Sequence, residues 1–272
     1  MNIKITKGLS ILLLLALSFA GCEKGDYTEP YTEFGEVYFD ASQTASYQTG
    51  HLKIKYNGNS IEIQSGTNGR VRVPQGEGKF EFYDERTGEV LGGKTVNIIP
   101  ASPETFNLFQ PTETDPIAFL DPNGQADEEA APAEFMRLKI ANYAGDLLPK
   151  DLDIVVLGLN MNFETVELAT LESVSNNIGE EQYRQIPTGG SDILAYTFKF
   201  RDRKTQEFVK MHGGEDYWSQ NFFLYPDMIS PYPEKRVYTI YLRSIEQWGE
   251  HPLFIKLGDK YYEISPEILY AN

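Results

Sequence analysis

The sequence predicts an all-β fold arranged as two sandwiches in tandem. Three observations carry that reading. Short runs alternate apolar and polar residues, with turn residues between them. Tyr (17) and Phe (16) are abundant, which suits a pleated, half-buried surface. A set of short motifs also recurs in the same order in both halves of the 272-residue chain.

The elements run as follows. Residues 37–39 (VYF) and 52–56 (LKIKY) read as strands, and 60–63 (SIEI) resumes the alternation after Asn57-Gly58. Asn-Gly between alternating runs predicts a hairpin, because both residues tolerate positive φ. Further strands fall at 70–73, 79–83, 89–91, 94–99 and 105–109, with a turn at Thr87-Gly88. Residues 121–134 (DPNGQADEEAAPAE) are acidic, small and proline-broken, the composition of an interdomain linker. The pattern restarts at 136–140, 153–157, 194–200, 237–242, 253–257 and 260–264, with Gly258-Asp259 as a tight hairpin between the last two. In 163–178, Val166, Leu168, Leu171 and Val174 fit neither period. That stretch reads as strand, with a short helix as the alternative.

The restart has the form of a repeat. FYDERTGEVL at 82–91 aligns without gaps to FRDRKTQEFV at 200–209, an offset of 118. Pro74-Gln-Gly76 matches Pro187-Thr-Gly189, LKIKYNG at 52–58 parallels LDIVVLG at 152–158, and FNLF at 106–109 parallels YTIY at 238–241. The expected division is a first β-sandwich at 34–120, a linker at 121–134, and a second β-sandwich at 135–272 enlarged by an insertion at 211–235.

Ahead of these lies a leader. Lys4 and Lys7 precede an apolar run from Leu9 to Ala20 and then Gly21-Cys22. That order predicts a secretory signal at 1–21. The run is shorter than the roughly 20 apolar residues a bilayer span needs. Phe19-Ala20-Gly21-Cys22 resembles a lipobox, with Phe19 where Leu is usual. Cys22 is the only cysteine, so no internal disulfide forms, and lipidation accounts for it. Acyl chains on Cys22 would anchor the mature chain. The polar stretch 22–33 suits a tether and is similar to the acidic leaders of surface lipoproteins in Bacteroidota-type envelopes. The expected location is the outer membrane, on its periplasmic or cell-surface face.

Without residues 1–21, 22 basic side chains face 40 acidic ones, a net charge of −18. That field opposes binding to nucleic acid and favours solubility.

Residues 137–158 (RLKIANYAGDLLPKDLDIVVLG) resemble the opening of a domain-of-unknown-function family that occurs in tandem in bacterial lipoproteins. Asn142, Asp153 and Gly158 occupy its marked positions, and the Pro187-Thr-Gly189 turn and the 235–242 strand (KRVYTIYL) fit its pattern. The first copy is looser, with Asp40 in place of Asn142. The resemblance implies an immunoglobulin-like sandwich. It implies no catalytic residue and no ligand.

No motif points to catalysis. Ser191 lies in GGSDI, which is not the G-x-S-x-G elbow. His51, His212 and His251 show no paired-ligand spacing. His212 lies near Glu215 and Asp216, but two glycines between them argue against a fixed metal site. Asp121, Asn123 and Asp127 lack the Gly and Glu of an EF-hand. No enzyme, cofactor or metal is expected. Binding fits better. DYWSQNFFLYP at 216–226 offers Tyr217 and Trp218 to stack on sugar faces, with Gln220 and Asn221 for hydroxyls. The competing reading makes these rings core or packing under a loop. Trp248, in EQWGEHP, carries the same two readings. The sequence therefore points to a binding or adhesion module serving glycan capture, or to a structural partner of an outer-membrane protein complex.

Overall fold

A computed structural model describes residues 32–61 and 69–272. The signal, Cys22 and the expected tether up to residue 31 lie outside those residues, as does the end of the 60–63 run. Among the described residues no helix is long and apolar enough to cross a membrane.

Nearly every element is a strand. In the N-terminal half, β1 (Phe34–Thr44) ends in a single helical turn, α1 (Ala45–Gln48). There follow β2 (Leu52–Tyr56), β3 (Asn59–Ile61), β4 (Arg70–Pro74), β5 (Gly76–Asp84), β6 (Val90–Ile98), β7 (Glu104–Gln110) and β8 (Ala118–Leu120). They form two sheets, β4-β1-β7-β8 and β3-β2-β5-β6. Burial alternates along β1, β4 and β5, the period-two signature of a strand with one face inward. The inward faces share one core, in which the Phe39 ring meets Phe80 at 4.9 Å and Phe82 at 5.0 Å. The Asn57-Gly58 hairpin forms as the sequence predicts, with φ of 48° and 80°.

The C-terminal half repeats the plan. Its strands are β9 (Phe135–Asn142), β10 (Leu152–Asn160), β11 (Thr165–Val174), β12 (Arg184–Pro187), β13 (Ile193–Asp202), β14 (Val237–Gln247), β15 (Ile255–Leu257) and β16 (Lys260–Ala271). The sheets are β12-β9-β14-β16-β15 and β11-β10-β13. They enclose a second core containing Leu138, Ile154, Phe198, Phe200 and Ile240. β9 runs parallel to β14 as β1 runs parallel to β7. Asn142 accepts the Ala144 N–H at 2.9 Å, and Asp40 accepts the Ser42 N–H at 2.9 Å in the same place. Buried Asp153 pairs with Arg201 at 3.2 Å. A Cβ on Gly158 would crowd Ile193 and Leu168, so glycine there admits both side chains to the core edge.

Two expectations need correcting. The all-β sandwich class stands, but the strand order is not the immunoglobulin one. Constant-type immunoglobulin sandwiches keep the first and second strands in one sheet. Here β1 and β2, like β9 and β10, lie in opposite sheets, because both edges of the first strand are taken by β4 and β7, or by β12 and β14.

Next, residues 121–134 do not form a free linker in this structure. Gln125 is buried and donates to the Val237 carbonyl at 2.9 Å while accepting from Thr239 at 2.6 Å. Lys235 and Arg236 hold the carbonyls of Glu128 and Ala131. Composition favoured solvation, but the outer face of β14 supplies partners for this backbone.

The 163–178 stretch is strand, as its first reading had it, and the alternative helix does not form. β11 carries register shifts against β10 at Leu152/Ile154 and Val156/Leu157. Each bulge moves the inward face by one residue, which explains why its apolar residues kept no period.

The two halves touch. Phe109 meets Tyr241 at 5.0 Å and Tyr143 at 6.1 Å, and Gln43 donates to the Ile268 carbonyl at 2.8 Å.

Candidate functional site

The site grows from an unfinished ladder. β15 pairs with β16 only as far as Ile255↔Tyr262, which leaves the next outward backbone groups of β16, at Ile264, without a strand partner. Tyr217 fills that gap. Its hydroxyl accepts the Ile264 N–H at 2.8 Å and donates to the Ile264 carbonyl at 3.3 Å. Its ring stacks on Phe200 at 6.0 Å. The residue is 3% exposed, and burial pushes its phenol pKa up. Tyr217 is therefore an anchor of the insertion and offers no free ring to a ligand. Pro266 has no N–H to leave unpaired, and the Ile268 carbonyl is taken by Gln43. Tyr217, Pro266 and Gln43 thus blunt the outer edge of β16 at three successive outward positions.

The rest of the insertion leans on the edge of β13 through the isolated bridges Lys199↔Trp218 and Tyr196↔Leu224, and Phe208, just before the insertion, bridges Arg201. Its N-terminal turn is tied to the loop before β15. His212 N–H donates to the Phe254 carbonyl at 2.7 Å and Gly213 N–H to the Pro252 carbonyl at 2.9 Å. The His212 ring nitrogen bonds Glu250 at 2.8 Å. That bond, with one from Tyr261, holds the Glu250 carboxyl below the usual carboxylate range.

A cleft of about 190 Å³ opens between these segments. Trp218, Gln220 and Asn221 line one side, with Tyr217 at its base; His251, Phe254 and Glu263 line the other. Trp218 is half-buried, its ring edge-on to Phe223 at 5.9 Å. Gln220 is half-buried and turns its amide nitrogen to the Met211 sulfur at 3.4 Å, which leaves its carbonyl oxygen for a ligand donor. Asn221 is exposed and donates to Glu263 at 2.7 Å across the cleft. Beyond that bond the space continues as a second recess of about 230 Å³ along β16. An aromatic wall facing an amide and a carboxylate can hold a molecule with one apolar face and a rim of hydroxyls.

Trp248 does not join this cleft. It is fully exposed and lines a separate one of about 380 Å³ with Tyr261, Lys260, Asp259 and Gln247. The trio considered as metal ligands is dispersed. His212 goes to Glu250, while Asp216 pairs with Lys210 at 2.5 Å and Lys199 at 3.7 Å. Among the described residues no group of three or more His, Cys, Asp or Glu is placed to hold a metal. The Asp121 carboxylate caps its own turn, accepting the Asn123 N–H at 2.8 Å.

Sequence reasoning found Trp218, Gln220 and Asn221 but missed His251, Phe254 and Glu263. Glu263 is 42 positions from Asn221, and only the β15–β16 hairpin brings it back. The alternation of KYYEI places Tyr261 and Glu263 on one face, the single local signal that existed.

No family model and no curated protein matches the chain. One solved structure similar to it concerns α-glucan recognition by family 41 carbohydrate-binding modules from streptococcal virulence factors. The two share 12% identity over 77% of this chain and 94% of that one, with a TM-score of 0.23. A superposition that loose has no bearing on the ligand.

Proposed function

We propose that this chain is an extracytoplasmic lipoprotein, anchored in the outer membrane through lipid on Cys22, whose C-terminal sandwich binds glycan in the cleft at Asn221 and Glu263. The protein is read as a binding module without catalysis of its own, and as a member of the tandem lipoprotein family its sequence resembles. The observation supporting the site is the convergence of Trp218, Gln220 and Asn221 from the insertion with His251 from the loop before β15 and Glu263 from β16. A ring, two amides and a carboxylate at one opening match the surface of a sugar. Mass spectrometry of the N-terminal peptide tests the anchor: diacylated Cys22 is expected, and an unmodified N-terminus elsewhere ends that part. An array of glycans probed with the full chain in detergent tests the site: binding that Asn221→Ala removes is expected.

One observation favours a second reading, a structural partner of an outer-membrane complex. The β10–β11 turn presents Met161 at 61% and Phe163 at 80% exposure, with Val166 and Leu194 also exposed. The Asn160 carboxamide holds this tip by accepting the N–H groups of Asn162 and Glu164, both at 2.9 Å. Phe163 sits at φ 62°, a strained backbone for a bulky residue, worth on the order of 1–3 kcal/mol. In this reading Phe163→Asn relieves the strain, raises the melting temperature and abolishes co-purification with the outer-membrane partner. Unchanged co-purification removes the tip from consideration.

A further inference from the structure

We infer that the cleft at Asn221 and the cleft at Trp248 are two stations of one groove, and that the ligand is a linear, neutral oligosaccharide several units long. The inference rests on the glycan reading above and extends it from a site to a substrate class.

The continuity comes from shared construction. Both clefts share two segments, the end of β14 with its following loop (246–254) and the first half of β16, and the insertion completes the Asn221 cleft. Trp248 and Gln247 line one, and His251 and Phe254 of the same loop line the other. On β16, alternate residues face one way. Tyr261 belongs to the Trp248 cleft, Glu263 to the Asn221 cleft, and Ser265 and Glu267 to the recess beyond. At about 3.4 Å per residue, Tyr261 to Glu267 spans about 20 Å, too long for one sugar. Between the stations stand His212 and Glu250, hydrogen-bonded at 2.8 Å and both exposed, with the Tyr261 ring 5.4 Å from the imidazole. The link is therefore polar and open to solvent.

Trp248 supplies the second platform. Its indole is uncovered, while tryptophans are on average highly buried. Gly249, at φ 86°, turns the loop so that the ring is carried at its tip. Among the described residues nothing covers that ring. A stacked sugar face would.

Charge selects among glycans. The groove's cations are already engaged: Lys260 with Glu246 at 2.6 Å, Arg243 with Glu267 at 3.0 Å, and Lys256 over the Tyr261 ring at 5.5 Å. Glu263 and Asp259 meet no cation within ion-pair distance among the described residues. Uronic, sulfated or phosphorylated chains would enter against that field, whereas hydroxyls find acceptors.

The test uses the full chain in detergent and linear gluco-, manno-, galacto- and xylo-oligosaccharides of one to six units, with oligouronates as the charged series. In at least one neutral series affinity rises about tenfold as the chain becomes long enough to reach both stations. Trp248→Ala returns long chains to short-chain affinity without moving the melting temperature, and Asn221→Ala weakens every length. If Trp248→Ala matches wild type at every length while Asn221→Ala is impaired, the groove is overturned and the glycan site survives. Tighter binding of the oligouronates overturns the neutral class. Binding to no member of any series overturns both this inference and the glycan reading.

Discussion

The two halves of the molecule share a scaffold and differ at one edge. The order β4-β1-β7-β8 recurs as β12-β9-β14-β16, down to the parallel central pair. The turn after β5 recurs after β13. Gly88 N–H reaches the Asp84 carbonyl at 2.8 Å, and Gln206 N–H reaches the Asp202 carbonyl at 2.8 Å. Thr87 and Thr205 each accept the N–H two residues on, both at 3.2 Å. Beyond the turn the halves part. In the first, β6 forms a full ladder on β5. In the second, the chain touches β13 only at single bridges, while the Tyr217 side chain reaches across to the edge of β16. A ladder makes a closed surface, whereas a strand traded for a pinned loop leaves clefts. Loops on a rigid sandwich carry recognition because they vary without disturbing the core. The edge where the copies differ is therefore where the proposed site is put to the test.

The largest effects test whether the scaffold is shared. Phe82 and Phe200 are equivalent by the repeat, and both are fully buried. Each change to Ala should cost about 3–5 kcal/mol. In urea titrations followed by fluorescence, each variant is expected to move its own transition. One transition moved equally by both would make the halves a single cooperative unit. Tyr217→Phe has no counterpart in the first half. It strips both partners from Ile264 and should cost about 1–3 kcal/mol, read as a lowered melting temperature. A neutral result would mean that the insertion does not depend on that contact.

A smaller effect separates the two turns by pH. The Arg86 guanidinium, aided by the backbone, lowers the Asp84 pKa from 3.8 to about 2. A carboxyl depressed in the folded state adds stability that is present above its unfolded pKa and lost as pH falls toward the folded one. The urea midpoint of the first half should therefore drop between about pH 4 and 2, and Asp84→Asn should flatten that drop. The second turn puts Lys204 where Arg86 stands, and that lysine pairs with Asp151 at 2.6 Å. An unchanged slope in Asp84→Asn would contradict the assignment.

The sequence carried the strands because alternation and turn chemistry are local. Asn57-Gly58 and Gly258-Asp259 each form the two-residue hairpin their neighbours imply. It carried the repeat because four motifs kept their order. It did not carry the strand order, since alternation reports which face is buried and not which strand lies alongside. It misread 121–134 because composition records charge but not the outer face of β14. At the site, Trp218, Gln220 and Asn221 stood out as a ring beside two amides, while Tyr217 looked like part of the same set. Nothing local shows that β15 stops short and that a tyrosine must finish its ladder.

Because Trp218 is half-buried against Phe223, replacing it should disturb both packing and binding, so it separates nothing. Asn221 is the cleaner probe. Its side chain is exposed, and its single bond crosses the cleft to Glu263. The decisive measurement is the glycan array with wild type and Asn221→Ala side by side, each with its melting temperature. The account predicts equal melting temperatures and a signal that the variant loses. Equal binding by both proteins would contradict it and move the function away from the edge where the two halves differ.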